Sequence, residues 1–167
     1  ASFPFYNLAD PAADTQPAFT LRPATPDDIP NMTTWYNLMA RDRLLTELHS
    51  PDEWRYEIMG RHSGSAQVMD YQIIVNAAGV AVGYLELFPF LFDKYTTRCS
   101  GYVVGEESSY LETFEPVMQA LKQWAITRYG TCPELVTFGS GIHDSLDRLI
   151  DRTAGANLRS REYMWYV

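Results

Sequence analysis

An α/β domain (α+β in its segregation of elements) organised around one mixed sheet is the fold this chain predicts, and three observations carry it. Strand-like and helix-like apolar patterns interleave in the order strand, two helices, hairpin, strand, helix, strand, helix, strand. A length of 167 residues with 46% hydrophobic composition suits a single globular domain with a proper core. An apolar strand also runs into a long amphipathic helix through Gly105-Glu106-Glu107-Ser108-Ser109-Tyr110-Leu111-Glu112. At that kind of turn an α/β protein holds a phosphate, using free backbone N–H groups and close glycines. This one offers one glycine and three acids.

Residues 1–18 place Pro4, Pro11 and Pro17 among Ala and Asp and read as an extended arm or inter-domain linker. Phe3, Phe5, Tyr6 and Leu8 make this arm apolar enough to pack onto a surface. Residues 19–167 read as one domain. Phe19-Thr20-Leu21-Arg22-Pro23 alternates as a short strand, and Thr25-Pro26-Asp27-Asp28 supplies an N-cap, Pro at the first helical position and acids in the first turn. That helix runs to about Arg41. Ser50-Pro51-Asp52-Glu53 repeats the start signal for a second helix with Trp54, Ile58 and Met59 on its stripe, and Gly60 to Gly64 stops it. Val68–Asn76 and Val80–Phe88, separated by Ala77-Ala78-Gly79, form a hairpin.

A connection rich in Phe and Tyr, Pro89 to Thr97, leads to a strand over Arg98–Val104. Phe114, Val117, Met118, Leu121, Trp124 and Ala125 then recur at helical spacing through Arg128, and Pro116, tolerable only in a first turn, sets the helix start near Thr113 or Phe114. Glu134–Phe138 reads as a buried strand. Gly139-Ser140-Gly141 turns it into a helix from about His143 to Thr153, and Leu158–Val167 closes as an aromatic strand.

A formal net charge of -8 disfavours nucleic-acid and anionic-membrane partners, because both rest on clustered Lys and Arg. Cys99 and Cys132 are too far apart in sequence to suggest a zinc site or a disulfide framework, and Cys99 reads as a small core residue. His49, His62 and His143 are dispersed, so no metal is expected. With no spanning segment and no signal peptide, the reading is a cytoplasmic protein. The chain begins at Ala1 and reads as a processed product or a piece of a longer one. Ser140, His143 and Asp144 lack the G-x-S-x-G of a nucleophile elbow and read as a helix start. Gly60-Arg61-His62-Ser63-Gly64-Ser65 lacks the Lys-Ser/Thr of a P-loop and reads as a connector.

The phrase Phe-Thr-Leu-Arg-Pro-Ala-Thr-Pro-Asp-Asp-Ile-Pro at residues 19–30, with Gly79-Val-Ala-Val-Gly83-Tyr-Leu-Glu86-Leu on the hairpin and the element order above, resembles the GNAT superfamily of N-acetyltransferases over Phe19 to Val167. The resemblance implies a central sheet of about six to seven strands with helices on both faces. It also implies that the fourth and fifth strands, Arg98–Val104 and Glu134–Phe138, splay to admit acetyl-CoA. The resemblance puts a pyrophosphate loop of the form R/Q-x-x-G-x-G/A at Ser109 to Phe114. There Ser109 replaces Arg or Gln, and Glu112 and Phe114 replace small residues. Asp151 stands where the family's leaving-group tyrosine is expected, and Asp144 where its asparagine is. Acetyl-CoA is thus the implied cofactor, without support from the loop.

Within that resemblance Glu86 is the candidate general base, backbone groups of Val103, Val104 and Gly105 the candidate contacts for the pantetheine arm, and Trp35, Tyr36, Phe88 and Tyr102 the candidate acceptor wall, with Tyr84 beside them. The implied acceptor is a small-molecule or peptide amine. Two readings follow. One is an acyl-CoA-dependent N-acyltransferase, weakly active or with altered cofactor binding. The other is a non-catalytic binding or assembly domain of the same fold, as in tandem acetyltransferases of the enhanced intracellular survival type, forming a homodimer or contacting another domain.

Overall fold

A computed structural model describes residues 2–8, 16–41, 49–93 and 95–139, together with Leu146, Leu149, Ile150 and Arg152, which are helical. The strands are β1 (Ser2–Pro4), β2 (Phe19–Pro23), β3 (Asp70–Asn76), β4 (Ala81–Leu87), β5 (Thr96–Val104) and β6 (Leu135–Phe138). The helices are α1 (Ile29–Ala40), α2 (Pro51–Arg55) and α3 (Tyr110–Tyr129). All six strands form one sheet in the order β1-β6-β5-β4-β3-β2. β5 and β6 run parallel and the other neighbours antiparallel, so the sheet is mixed. The expected closing strand over Leu158–Val167 lies outside the described residues.

Each face of the sheet carries its own core. On one face α3 buries Phe114, Val117, Met118 and Leu121 against Ile74, Leu85, Leu87 and Val136. Burying side chains of this size contributes about 1.5–3 kcal/mol apiece before chain entropy is subtracted. On the other face α1 and α2 set Ile29, Met32 and Trp54 over Tyr71, Ile73, Tyr84 and Val103. Alternate positions of β3, β4 and β5 therefore serve different cores, as the two-residue period of a strand requires, and bulges reset the alternation, so that Cys99 and Tyr102 share the α3 side. Cys99 is buried in the α3-side core, as its apolar surroundings suggest.

The N-terminal arm is part of the sheet over residues 2–8. β1 pairs antiparallel with β6, and Phe3, Phe5 and Leu8 enter the α3-side core while Tyr6 stays exposed.

Three boundaries differ from those expected. α3 starts at Tyr110, three to four residues before the position that Pro116 suggests, and Pro116 lies inside it. Ser109 and Glu112 close a reciprocal capping box there, and their hydrogen bonds outweigh the one that Pro116 removes. β5 begins at Thr96, within the expected connection, because Phe92 and Thr96 bridge a tight turn. The helix beginning at Pro51 passes into a π-helical turn over Tyr56–Gly60.

The strand-to-helix phrase at residues 19–30 is tied by a buried carboxylate. Asp28 receives both guanidinium nitrogens of Arg22, at 2.7 and 2.8 Å, together with the Thr25 backbone N–H and hydroxyl. The Arg22 hydrogen bonds, foremost, hold its carboxyl below the usual value of 3.8 against the opposing effect of burial. A depressed folded-state value means the stabilisation is complete above the unfolded-state pKa and is lost as pH falls through the folded one. Urea unfolding of the wild type should therefore lose stability below about pH 4, and Asp28→Asn should lower stability at neutral pH and flatten that acid-side decline. An unchanged decline in the variant would exclude Asp28 as its source.

Candidate functional site

β5 outruns the described part of β6. Their parallel pairing covers Thr96–Cys99 against Leu135–Phe138, and Gly139 adds one more bond from its N–H to the Cys99 carbonyl. Beyond that point β5 continues to Val104 with no described strand beside it on the β6 side. The register between β4 and β5 also shifts there. Glu86 faces Gly101 while Leu87 faces Cys99, so Ser100 is an extra residue, a bulge. Bulges bend a strand and increase its local twist.

The ladder decides which backbone groups of β5 face away from β4. Gly105 donates its N–H to the Val82 carbonyl. With Val103 opposite Tyr84 and Val104 opposite Gly83, antiparallel alternation directs the N–H and C=O of Val103 toward β4 and those of Tyr102 and Val104 outward. The Tyr102 carbonyl accepts a 3.0 Å hydrogen bond from the Tyr110 hydroxyl. Of the three residues read as contacts for a pantetheine arm, Val104 thus turns its backbone away from β4, Val103 turns its own to β4, and Gly105 gives its N–H to β4 and its carbonyl to Ser108. Tyr102 also turns its backbone away from β4.

The turn into α3 is closed on itself. Ser108 donates its N–H to Gly105, Ser109 to the Glu112 carboxylate, Glu112 to the Ser109 hydroxyl and Thr113 to the Ser109 carbonyl. The carboxylate of Glu112 already takes an N–H that a bound phosphate would need. Arg41 reaches the turn only as an exposed ion pair, 3.7 Å from Glu106. The first N–H groups of the turn are thus taken by its own cap, while the backbone of Val104 and the N–H of Tyr102 face away from β4. Phe114 sits 2% exposed in the core, edge-on to Phe3 at 5.1 Å, and not at the surface of the turn.

On the α1/α2 face one row of residues crosses three strands. Tyr71 on β3 is paired with Glu86 on β4, which is paired with Gly101 on β5. Glu86 is half-buried, not simply facing solvent, and its Oε1 accepts a long 3.4 Å hydrogen bond from the Tyr71 hydroxyl. The Tyr71 phenol is raised far above its usual value, by burial first and then by the charges of Glu86 and Glu57, so it stays a proton donor. Glu57, on the π-helical turn, forms an ion pair with Arg61.

The aromatic residues divide. Trp35 stacks on Tyr84 at 6.5 Å, and Tyr36 packs edge-on to Trp54 at 5.9 Å, both above the face that carries Glu86. Tyr102 turns its ring to the α3 side, where its hydroxyl donates to Thr113 at 2.7 Å, because it is one residue out of phase with Gly101 and Val103. Phe88 packs with Phe90 and Phe92 beneath the Arg98 guanidinium, in a separate cluster. Tyr71 and Gly101 escaped the sequence reading, although an isolated glycine inside an apolar strand signals a bulge or a close approach. Ser140, His143, Asp144 and Asp151 lie outside the described residues.

Trp35 also covers Gly105. A Cβ on that glycine would lie 2.6 Å from the indole Nε1 and 2.9 Å from Cδ1. Gly105→Ala should displace the indole from Tyr84 and change the tryptophan emission spectrum. The same substitution in a Trp35→Phe background should leave the spectrum unaltered, and a change there would place the effect elsewhere.

The order of elements and the six-stranded mixed sheet with its bulge are consistent with a GNAT-like α/β fold. Among solved structures the chain is similar to a functionally unknown conserved protein from Staphylococcus epidermidis, with a TM-score of 0.56 at 12% identity over 91% of this chain and 54% of that one. It is similar also to a mutant BH1408 protein from Bacillus halodurans, with a TM-score of 0.55 at 12% identity over 88% and 97% of the two chains. A GCN5-related glucosamine N-acetyltransferase region of a fungal multi-domain GH3 beta-N-acetylglucosaminidase aligns with a TM-score of 0.47 at 15% identity, over 78% of this chain and 14% of that protein. At these identities the likeness is one of fold. The chain spans about half of the Staphylococcus protein and a small part of the fungal one. No family model matches the sequence, and no curated protein matches it. No described helix is long and apolar enough to cross a membrane, and the described residues contain no cluster of three or more potential metal ligands.

Proposed function

We propose that this chain is an N-acyltransferase domain that takes its acyl group from a thioester and holds the donor by its amide-bearing arm and not by its diphosphate. The observation that carries the proposal is the bulge of β5 at Ser100 beside a half-buried carboxylate, Glu86, one strand away. Similarity in fold to structures that include N-acetyltransferases is consistent with it. Acetyl-CoA would supply the activated acyl group, and a primary amine on a small molecule or peptide would accept it.

The steps follow from the groups present. Glu86 takes a proton from the acceptor ammonium, leaving a neutral nitrogen and a carboxylic acid. The nitrogen attacks the thioester carbonyl, the C–N bond forms as the C–S bond breaks, and the thiolate leaves to be protonated by water. The new amide nitrogen gives up its surplus proton to water, as does Glu86. The ordered backbone at the edge of β5 contributes by orienting the arm, since positioning alone removes a large share of such a barrier.

A second reading, a binding or assembly domain without chemistry, is favoured by the self-capped turn. Calorimetric titration with acetyl-CoA and with a short pantetheine thioester separates the two. Under the acyltransferase reading both bind, acetyl-CoA no more tightly than the short thioester, and a panel of primary amines yields acylated product. Millimolar ligand producing neither heat nor product would overturn it. Because three carboxylates oppose the diphosphate, the combined Glu106→Gln, Glu107→Gln and Glu112→Gln variant should bind acetyl-CoA about 10-fold more tightly, or about 1.4 kcal/mol, at low salt. Gln at 112 preserves the cap. Binding of the short thioester should not change, and equal gains for both ligands would count against an electrostatic origin.

A further inference from the structure

We infer that Gly101 and Tyr71 together form a seat that carries the Glu86 carboxylate over β5, and that both are positioning residues for the proton transfer. The purpose of the seat rests on the acyltransferase reading above, while its geometry stands on the packing alone.

Directly opposed residues on antiparallel strands ordinarily keep their Cβ atoms about 4.5–5.5 Å apart and send both side chains up from the sheet. Gly101 removes one of the two. A Cβ built there would meet Glu86 Oε2 at 2.9 Å and Glu86 Cβ at 3.2 Å, so the carboxylate occupies the space that a side chain at 101 would need. Oε1, on the other flank, receives the Tyr71 hydroxyl. The two oxygens are thereby directed to opposite neighbours, one to β3 and one to β5. The backbone beneath is tied as well, since the bulge residue Ser100 donates its hydroxyl to the Glu86 carbonyl at 3.3 Å. The bulge at Ser100 and the glycine that admits the carboxylate are adjacent residues, so the bend of β5 and the place of the carboxylate are set by one irregularity.

Among the described residues, the titratable groups that interact with Glu86 include Tyr71 on β3 and Cys99 on β5, and Glu57, paired with Arg61 on the π-helical turn, acts on Tyr71 in turn. Tyr71 remains protonated through the working range because burial and the two glutamates oppose its ionisation. Cys99 is likewise driven up, beyond the range in which it would ionise, by burial first and then by Glu86. Neither competes with Glu86 for the acceptor's proton.

The test pairs Gly101→Ala with Tyr71→Phe, each followed by thermal unfolding, by steady-state kinetics against pH, and by carbon-13 NMR of the Glu86 carboxyl assigned by its loss in Glu86→Gln. Gly101→Ala should lower kcat about 100-fold with little change in KM for the amine, as expected for a reacting group displaced by about an ångström. Tyr71→Phe adds no atoms and preserves the ring, so it serves if the alanine variant does not fold. It should move the acid limb of the kcat/KM profile upward, since a hydrogen bond to the carboxylate is lost, and shift the Glu86 carboxyl resonance and its titration midpoint. A resonance and midpoint unchanged in both variants overturn the seat. A shifted resonance with unaltered kinetics overturns its role in proton transfer. If the wild type acylates no amine, the acyltransferase reading falls and the positioning role falls with it, whereas the resonance still decides the geometry.

Discussion

Glu86→Gln lowers kcat/KM for transfer to a primary amine by about 100-fold or more, the usual range for removal of a general base. The substitution preserves length and shape and can still accept from Tyr71, so the seat over Gly101 is not emptied. It removes the charge and the basicity. An ammonium bound beside the amide then has no adjacent group to take its proton and depends on water. The loss should appear in kcat and shrink as pH rises toward the amine's own pKa, where the neutral nitrogen is supplied by solution. Steady-state kinetics at two pH values, about 7 and about 9.5, check this. A variant with wild-type kcat/KM at the lower pH would remove Glu86 from the mechanism, and a loss independent of pH would assign it to acceptor binding.

Phe114→Ala lowers the free energy of unfolding by about 3–5 kcal/mol, the range for deleting a buried phenylalanine from a packed core. The ring is 2% exposed and joins three parts of the chain: Phe3 edge-on at 5.1 Å from the arm, Phe138 at 6.3 Å from β6, and the first turns of α3 to which it belongs. A cavity there also removes the ring on which Phe3 of the arm packs, so β1 should lose amide protection against β6 in the same variant. Urea unfolding with hydrogen exchange at Phe3 measures both effects. A cost below about 1 kcal/mol would show that the site collapses without penalty. The same residue explains why the turn is not rebuilt by inserting a glycine at 114, because that change would remove core and not obstruction.

Much of the architecture is legible in the residues. Capping phrases at Thr25–Asp28 and Ser50–Glu53, the hairpin across Ala77-Ala78-Gly79 and the helical stripe from Phe114 to Ala125 are local patterns, and local patterns are what hydrogen bonding within a few residues decides. The start of α3 was harder to read because two local signals disagree. Pro116 argues for a late start and Ser109–Glu112 for an early one, and the capping box prevails because the bond lost at proline is single. The site was legible in part. Glu86 could be named from its place on the hairpin, but the roles of Tyr71 and Gly101 could not, since they depend on which residues face one another across three strands.

The chain by itself determined the order of elements, the acidic character of the turn after β5 and the absence there of the residues that grip a phosphate. Each of these is a property of residues adjacent in sequence. Only the tertiary structure decided that the turn's N–H groups are taken by its own cap, that the arm at residues 2–8 is an edge strand of the sheet, and that Phe114 belongs to the core. It alone decided that Ser100 is a bulge and that Gly101 leaves room for a carboxylate. Register is the physical reason: shifting a strand by one residue moves every side chain to the other face, and pairing across the sheet, not spacing along the chain, sets which of the two is realised.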